Sequence, residues 1–231
     1  MPAFPPSAPS ATFPYRILAK VGEGAMGEVY RAEDPDLGRL VAIKVIRPAP
    51  ASARGSDPQA TVNRFLQEAR AAAALAHPGA TTVHRVGSED GHPYIAMEWL
   101  EGHTLEELIA RGGRLPPEQA ARIGLQVLST LEAAHAVGVI HRDIKPGNLM
   151  VLPSGRIKVT DFGVAQVRGS TLAHTQAGTI VGTPHYAAPE QLAGGAIDHR
   201  VDLYALACVL YEALVGRPPF DADSIYALIQ A

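Results

Sequence analysis

The run Ile140-His141-Arg142-Asp143-Ile144-Lys145-Pro146-Gly147-Asn148, closely followed by Asp161-Phe162-Gly163, decides how the rest of the chain is read. It gathers Asp143, Lys145, Asn148 and Asp161 into two short loops. Either loop alone would pass as ordinary turn chemistry, because Asp and Asn side chains close turns on their own backbone. Two in succession concentrate hard oxygen donors, and such donors suit Mg²⁺, which binds phosphate oxygens at the same time.

Upstream, Gly22, Gly24 and Gly27 fit G-x-G-x-x-G within a run that begins at Val21 and is completed by Val29. A glycine-rich hairpin is weak evidence by itself. Here a strand is expected after the loop. A dinucleotide-binding turn needs a helix opening at the third glycine, which argues against that reading. The loop reads instead as a lid whose backbone comes close to phosphates. Lys44 ends Val41-Ala42-Ile43-Lys44. Strand alternation puts Ala42 and Lys44 on one face and Val41 and Ile43 on the other. An inward lysine is costly unless paired, and Glu68, in the helical stretch Phe65-Leu66-Gln67-Glu68-Ala69, is the candidate partner. Taken singly, the lysine would more often be exposed and the glutamate a solvated helix charge.

Working outward, short β-like runs are expected at residues 17–20, 28–31, 40–45, 82–86 and 94–98. A helix is expected over 59–75, stopped by His77-Pro78-Gly79. Beyond Gly102 the pattern turns helical: 104–110, then 117–136 with proline in its first turn and Gly138 past its end, then 201–215 and a short piece at 224–230. The 201–215 segment is apolar on nearly every face, which predicts a buried helix at the centre of a second lobe. Residues 1–13 are proline-rich and read as a disordered tail.

Bulk properties narrow the classes. Apolar residues make up 47% of the 231, enough for a sizeable core. A net charge of −3 argues against a nucleic-acid partner. Cys208 is the single cysteine, so no intrachain disulfide can form and a reducing, cytoplasmic setting is expected. There is no signal-peptide pattern and no apolar run of about 18 residues, so no membrane contact is expected within this chain. The nine histidines are scattered without ligand-like spacing.

As an ordered set, the glycine loop, Val-Ala-Ile-Lys, the helix glutamate, the His-Arg-Asp loop, Asp-Phe-Gly and Ala188-Pro189-Glu190 resemble the eukaryotic-type protein kinase family, most of all its bacterial serine/threonine branch. The likeness runs from about Tyr15 to the last residue. It implies an α+β, two-lobe protein kinase-like fold: a five-stranded antiparallel N-lobe with one helix over residues 14–100, then a mainly helical C-lobe over 101–231. The C-lobe is expected to be truncated, because the family needs roughly fifty further residues. One of those is an arginine that pairs with the glutamate at Glu190. Ala207 stands where glycine is common.

The resemblance also implies roles. Val21, Gly22, Glu23, Gly24, Ala25, Met26, Gly27, Glu28 and Val29 would cover ATP, with Ala42 also among the nucleotide-binding residues. Lys44 would hold the α/β-phosphates and pair with Glu68. Met97 is the gatekeeper, and Glu98, Trp99 and Leu100 form the hinge for adenine. Asp143 is the catalytic base, supported by Lys145 and contacted by Thr183. Asn148 and Asp161 hold Mg²⁺, with Mn²⁺ as an alternative. Lys145 favours Ser/Thr over Tyr substrates. Arg142 would receive a phosphorylated activation-loop residue; among Ser170, Thr171, Thr175 and Thr179, Thr175 is expected to be the main autophosphorylation site and Thr171 the second choice. Partners are then ATP and proteins bearing Ser/Thr, with a kinase-domain homodimer left open and membrane anchoring placed in sequence beyond this chain. Two rivals remain: a pseudokinase scaffold, disfavoured because Lys44, Glu68, Asp143, Asn148 and Asp161 are all present, and a small-molecule phosphotransferase, disfavoured by Lys145 and the Gly182–Glu190 segment.

Overall fold

A computed structural model of the chain describes residues 13–24, 27–46, 67, 69, 73–89, 91–162 and 184–220. The chain divides into two compact units: residues up to 74 together with 82–100, and residues 75–81 together with 101 onward.

The first unit is built on an antiparallel five-stranded sheet in the order β1-β2-β3-β5-β4. Its strands are β1 (Arg16–Gly24), β2 (Gly27–Asp34), β3 (Arg39–Ile46), β4 (Val83–Glu89) and β5 (His92–Glu98). They are longer than the sequence suggests, chiefly at the glycine loop. Gly22 pairs with Val29, Glu23 with Glu28, and Gly24 with Gly27. Glycines normally weaken a strand, but cross-strand pairing carries the ladder through them. β3 is buried along both faces from Val41 to Ile46. On one side Val41, Ile43 and Val45 join Tyr30, Ala32, Tyr94 and Ala96 in a core that also takes in Phe13. Phe13 sits edge-on to Tyr15 and Tyr94, at centroid distances of 5.7 and 5.2 Å, an arrangement aromatic rings favour. Of the helix expected over 59–75, Gln67, Ala69 and Ala73 are helical; most of its residues, Glu68 among them, lie outside those described.

The second unit holds α1 (Leu105–Gly112), α2 (Pro117–Ala136), α3 (Pro189–Ala193) and α4 (Arg200–Val215), with a small sheet, β6-β7-β8 (His103–Thr104, Leu149–Val151, Ile157–Val159), against which α1 and α2 pack. The small sheet and α3 were not legible from sequence patterning, because each is too short to show a period. Thr104 caps α1 through a reciprocal pair: the Glu107 N–H donates to Thr104 Oγ1 at 3.1 Å, and the Thr104 N–H donates to Glu107 Oε2 at 3.3 Å. Gln126 on α2 clamps the β7–β8 hairpin, accepting from Ile157 N–H at 3.0 Å and donating to Gly155 O at 3.2 Å.

α4 corrects one expectation. Its composition suggests burial all round, yet Val201, Asp202, Ala205, Leu206, Cys208, Val209 and Ala213 are buried while Leu203, Tyr211, Leu214 and Val215 stand exposed among the described residues. One face packs on α2. Composition alone cannot say which face of a helix finds a neighbour.

Segment 75–81 is tied to β8. Ala80 bridges Val159, the Thr81 N–H donates to Val159 O at 3.0 Å, and Lys158 Nζ donates to Ala80 O at 3.0 Å. The approach is close: a Cβ on Gly79 would lie 2.1 Å from Thr130 Oγ1. Thr130 is buried and its hydroxyl donates to Gln126 O at 2.9 Å, so it cannot easily yield. Gly79→Ala is therefore expected to cost about 2 kcal/mol by overpacking and to lower the thermal midpoint by roughly 4–8 °C, as read in a melting curve. An unchanged midpoint would mean that the segment shifts freely.

Candidate active site

In the first unit, the expected nucleotide-facing residues fall chiefly on four neighbouring strands, β1, β2, β3 and β5. Val29 pairs with Lys44, and Lys44 pairs with Ile95. Ala42 lies between Arg31 and Met97. Ala42, Lys44 and Met97 are all buried, at 9%, 6% and 9% exposure, so the lysine is inward as alternation requires. Gly27 has φ +146°, and a Cβ there would lie 1.8 Å from Val45 O. This position admits glycine alone, which gives the third glycine of the loop a backbone reason. Ala25 and Met26, at the loop tip, lie outside the described residues. At the loop base, Lys20 Nζ bridges Glu23 at 2.6 Å and Glu28 at 2.8 Å. These two bonds hold its ammonium above the ordinary lysine range. Glu98 is fixed to Thr82: its N–H donates to Thr82 O at 2.9 Å and its carboxylate accepts from Thr82 N–H at 2.7 Å. Trp99 is covered by the Arg31 guanidinium, 5.5 Å from the ring centroid.

In the second unit, Asp143, Lys145 and Asn148 come together. Asp143 Oδ2 accepts from Lys145 Nζ at 2.8 Å and from Asn148 Nδ2 at 3.0 Å. Asn148 Nδ2 also donates to the Asp143 carbonyl at 2.7 Å. The amide orientation is thereby set, and Asn148 Oδ1 is left as an acceptor. Thr160 N–H donates to the Asn148 carbonyl at 2.9 Å, which ties this loop to the residue before Asp161. Asp161 has φ +66° and Arg142 φ +65°. Non-glycine residues in this region carry strain of about 1–3 kcal/mol each and persist only where their surroundings over-determine them.

Those surroundings are visible at Arg142. Its N–H donates to Asp202 Oδ1 at 2.7 Å, and its carbonyl accepts from Gln191 Nε2 at 3.1 Å. Asp202 Oδ2 accepts in addition from the His141 N–H at 2.9 Å and from His135 Nε2 at 2.7 Å. His141 Nε2 lies 2.8 Å from the Thr160 carbonyl and so carries its hydrogen there. Nδ1 is then the acceptor for the Asp143 N–H at 3.2 Å. The His141 ring meets Phe162 edge-on at 4.6 Å. A buried carboxylate, two histidines and a glutamine thus fix the backbone on which Asp143 stands.

Sequence reasoning assigned no role to Asp202, His135 or Gln191. Asp202 alone left a signal, as a charge inside an otherwise apolar helix, where an acid is retained only with partners. Tyr186, in a 3-10 turn at Pro184–Tyr186, donates to Glu212 Oε2 at 2.5 Å. Burial pushes its phenol up, and Glu212 and Glu106 add to the shift. Arg142 Nε is buried without a partner among the described residues. Thr171, Thr175, Thr183 and Gly163 lie outside those residues.

A strand-turn-strand glycine loop, an inward lysine and an Asp–Lys–Asn loop followed by Asp161 define the class. The protein kinase domain family matches residues 15–230, and the chain belongs to it. It is similar to three serine/threonine-protein kinases: pkn3 of Myxococcus xanthus, 44% identical over 92% of this chain; PrkC of Bacillus subtilis, 42% over 93%; and PknD of Mycobacterium tuberculosis, 42% over 98%. The chain spans 39%, 32% and 33% of these relatives' lengths, respectively. The two-lobe kinase fold expected from the motifs is that of the family. No helix among the described residues is long and apolar enough to cross a membrane.

Proposed function

We propose that this chain transfers the γ-phosphate of ATP to Ser or Thr hydroxyls of proteins, its own activation segment included. The observation that carries the reading is the Asp143 carboxylate, held by Lys145 and Asn148 on a backbone locked by Asp202. Asp143 orients the acceptor hydroxyl and takes its proton, and the neighbouring Lys145 ammonium offsets charge as the phosphoryl group moves. Little covalent work falls to the protein; positioning and electrostatics carry the reaction.

Lys44 and the glycine loop hold the nucleotide phosphates, Glu68 pairs with Lys44, and Met97, Glu98 and Leu100 border the adenine. The donor set fits a hard cation: Asn148 presents its Oδ1 because its amide nitrogen is already committed, and Asp161 supplies carboxylate oxygens. Mg²⁺ held by them would neutralise phosphate charge. The buried, unpartnered Arg142 Nε supports a role for Arg142 in receiving an activation-segment phosphate, with Thr175 as the first candidate and Thr171 as the second. A reducing, cytoplasmic setting fits the single cysteine, Cys208, which is buried and whose thiol burial pushes up.

The test is the intact mass of the purified chain after incubation with Mg²⁺ and ATP, beside an Asp143→Asn control. Added phosphate in the wild-type chain alone is the expected outcome. Equal masses in both, with nucleotide bound, would favour the scaffold reading. Fragmentation that finds phosphate only away from residues 171 and 175 would remove them as sites.

A further inference from the structure

Glu106 opens the first turn of α1 together with Glu107. Glu107 is fully employed, closing the cap with Thr104 and meeting His103 Nδ1 at 3.1 Å. Glu106 makes no hydrogen bond or ion pair to any described residue, and its side chain is exposed. It is nonetheless not a stray surface charge. α1 packs on the Pro146–Asn148 turn, and a Cβ placed on Gly147 would lie 3.1 Å from Glu106 Oε2. The carboxylate therefore covers the bare backbone of Gly147, between the Asp143–Lys145 pair and Asn148. It also acts on the Tyr186 phenol, whose shift it reinforces. The other acid there, Glu212, is committed to the Tyr186 hydroxyl. The catalytic-loop lysine, Lys145, is committed to Asp143. Among the described residues, Glu106 thus leaves a negative charge beside the catalytic loop that no hydrogen bond or ion pair engages.

We propose that Glu106 is a specificity-determining residue, selecting protein substrates that carry a lysine or arginine near the phospho-acceptor. The Pro146–Asn148 turn lies beside the Asp143 carboxylate, which Asn148 Nδ2 meets at 3.0 Å, so residues close to an acceptor hydroxyl at Asp143 come within range of an exposed carboxylate that attracts a cation and repels an acid. Gly147 contributes to this arrangement, since a side chain at that position would crowd Glu106. The inference rests on the kinase reading above.

It is tested with the full chain, Mg²⁺-ATP and a set of Ser/Thr peptides. In this set lysine, arginine, glutamate or alanine occupies each position within about four residues of the acceptor, roughly 14 Å of extended chain each way. The wild-type chain is expected to prefer lysine or arginine at one or two positions. Glu106→Gln should reduce that preference by about three- to fivefold, the scale of an exposed ion pair, with the loss in KM for the basic peptide. Glu106→Lys should turn the preference toward glutamate at the same position. If Glu106 only stabilised the start of α1, the variants would shift the melting midpoint and leave the peptide ranking alone, which overturns the proposal. A wild-type enzyme that phosphorylates basic and acidic peptides equally well overturns it too, while leaving the kinase reading intact. Failure to phosphorylate any peptide would take down both.

Discussion

Asp143→Asn should lower phosphotransfer by about 10²–10⁴-fold, the range for loss of a positioned general base, with the fold and nucleotide binding retained. The replacement is nearly isosteric. The asparagine oxygen can keep the bonds now made by Asp143 Oδ2 to Lys145 Nζ and Asn148 Nδ2, at 2.8 and 3.0 Å. Its amide nitrogen then faces the acceptor hydroxyl, to which it can only donate. The variant thus removes proton acceptance and leaves the local hydrogen bonds standing. Single-turnover phosphate transfer, beside a melting curve and a nucleotide titration, separates the two effects. A rate within a factor of a few of wild type would remove Asp143 from the chemistry. A collapse of the melting midpoint would recast it as structural.

Asp202→Ala should be the most damaging single change to stability. The side chain is fully buried, and its two oxygens accept from the His141 and Arg142 N–H groups and from His135 Nε2. Alanine leaves two buried backbone donors and a histidine without their acceptor. Such a loss costs about 3–5 kcal/mol, a large share of the roughly 5–15 kcal/mol that stabilises a domain. The strained φ of Arg142 would relax with it, and Asp143 is the next residue. Activity should therefore fall even in the fraction that remains folded. Asp202→Asn keeps one acceptor oxygen but turns an amide toward donors, so it should fall between alanine and wild type. Denaturant midpoints for the three proteins give the ranking. An alanine variant with wild-type midpoint and activity would show that the anchor holds nothing.

Much of this chain was legible because its chemistry is local. The turn-forming and oxygen-rich residues of the Asp143–Asn148 loop, the glycines of the 22–27 loop and the alternation around Lys44 each need only near neighbours in sequence to be read. Gly27 illustrates the point: its place in the motif was visible, and the reason no other residue fits, the Val45 carbonyl 1.8 Å from a Cβ, was not. The strand ends were misjudged where pairing overrode glycine's reputation as a breaker. The faces of α4 were misjudged because an apolar helix does not announce its neighbour.

By itself, the sequence determined the family, the order of the elements and the identity of the groups that bear charge, since those follow from residue types at fixed short spacings. Tertiary structure alone decided that Asp202 on α4 holds the backbone beneath Asp143, that Gln191 holds the Arg142 carbonyl, and that Glu106 on α1 lies over Gly147. These contacts join residues about 40–60 positions apart, and no local period encodes them. They arise when helices dock and a buried polar group must find its partner wherever packing has brought one.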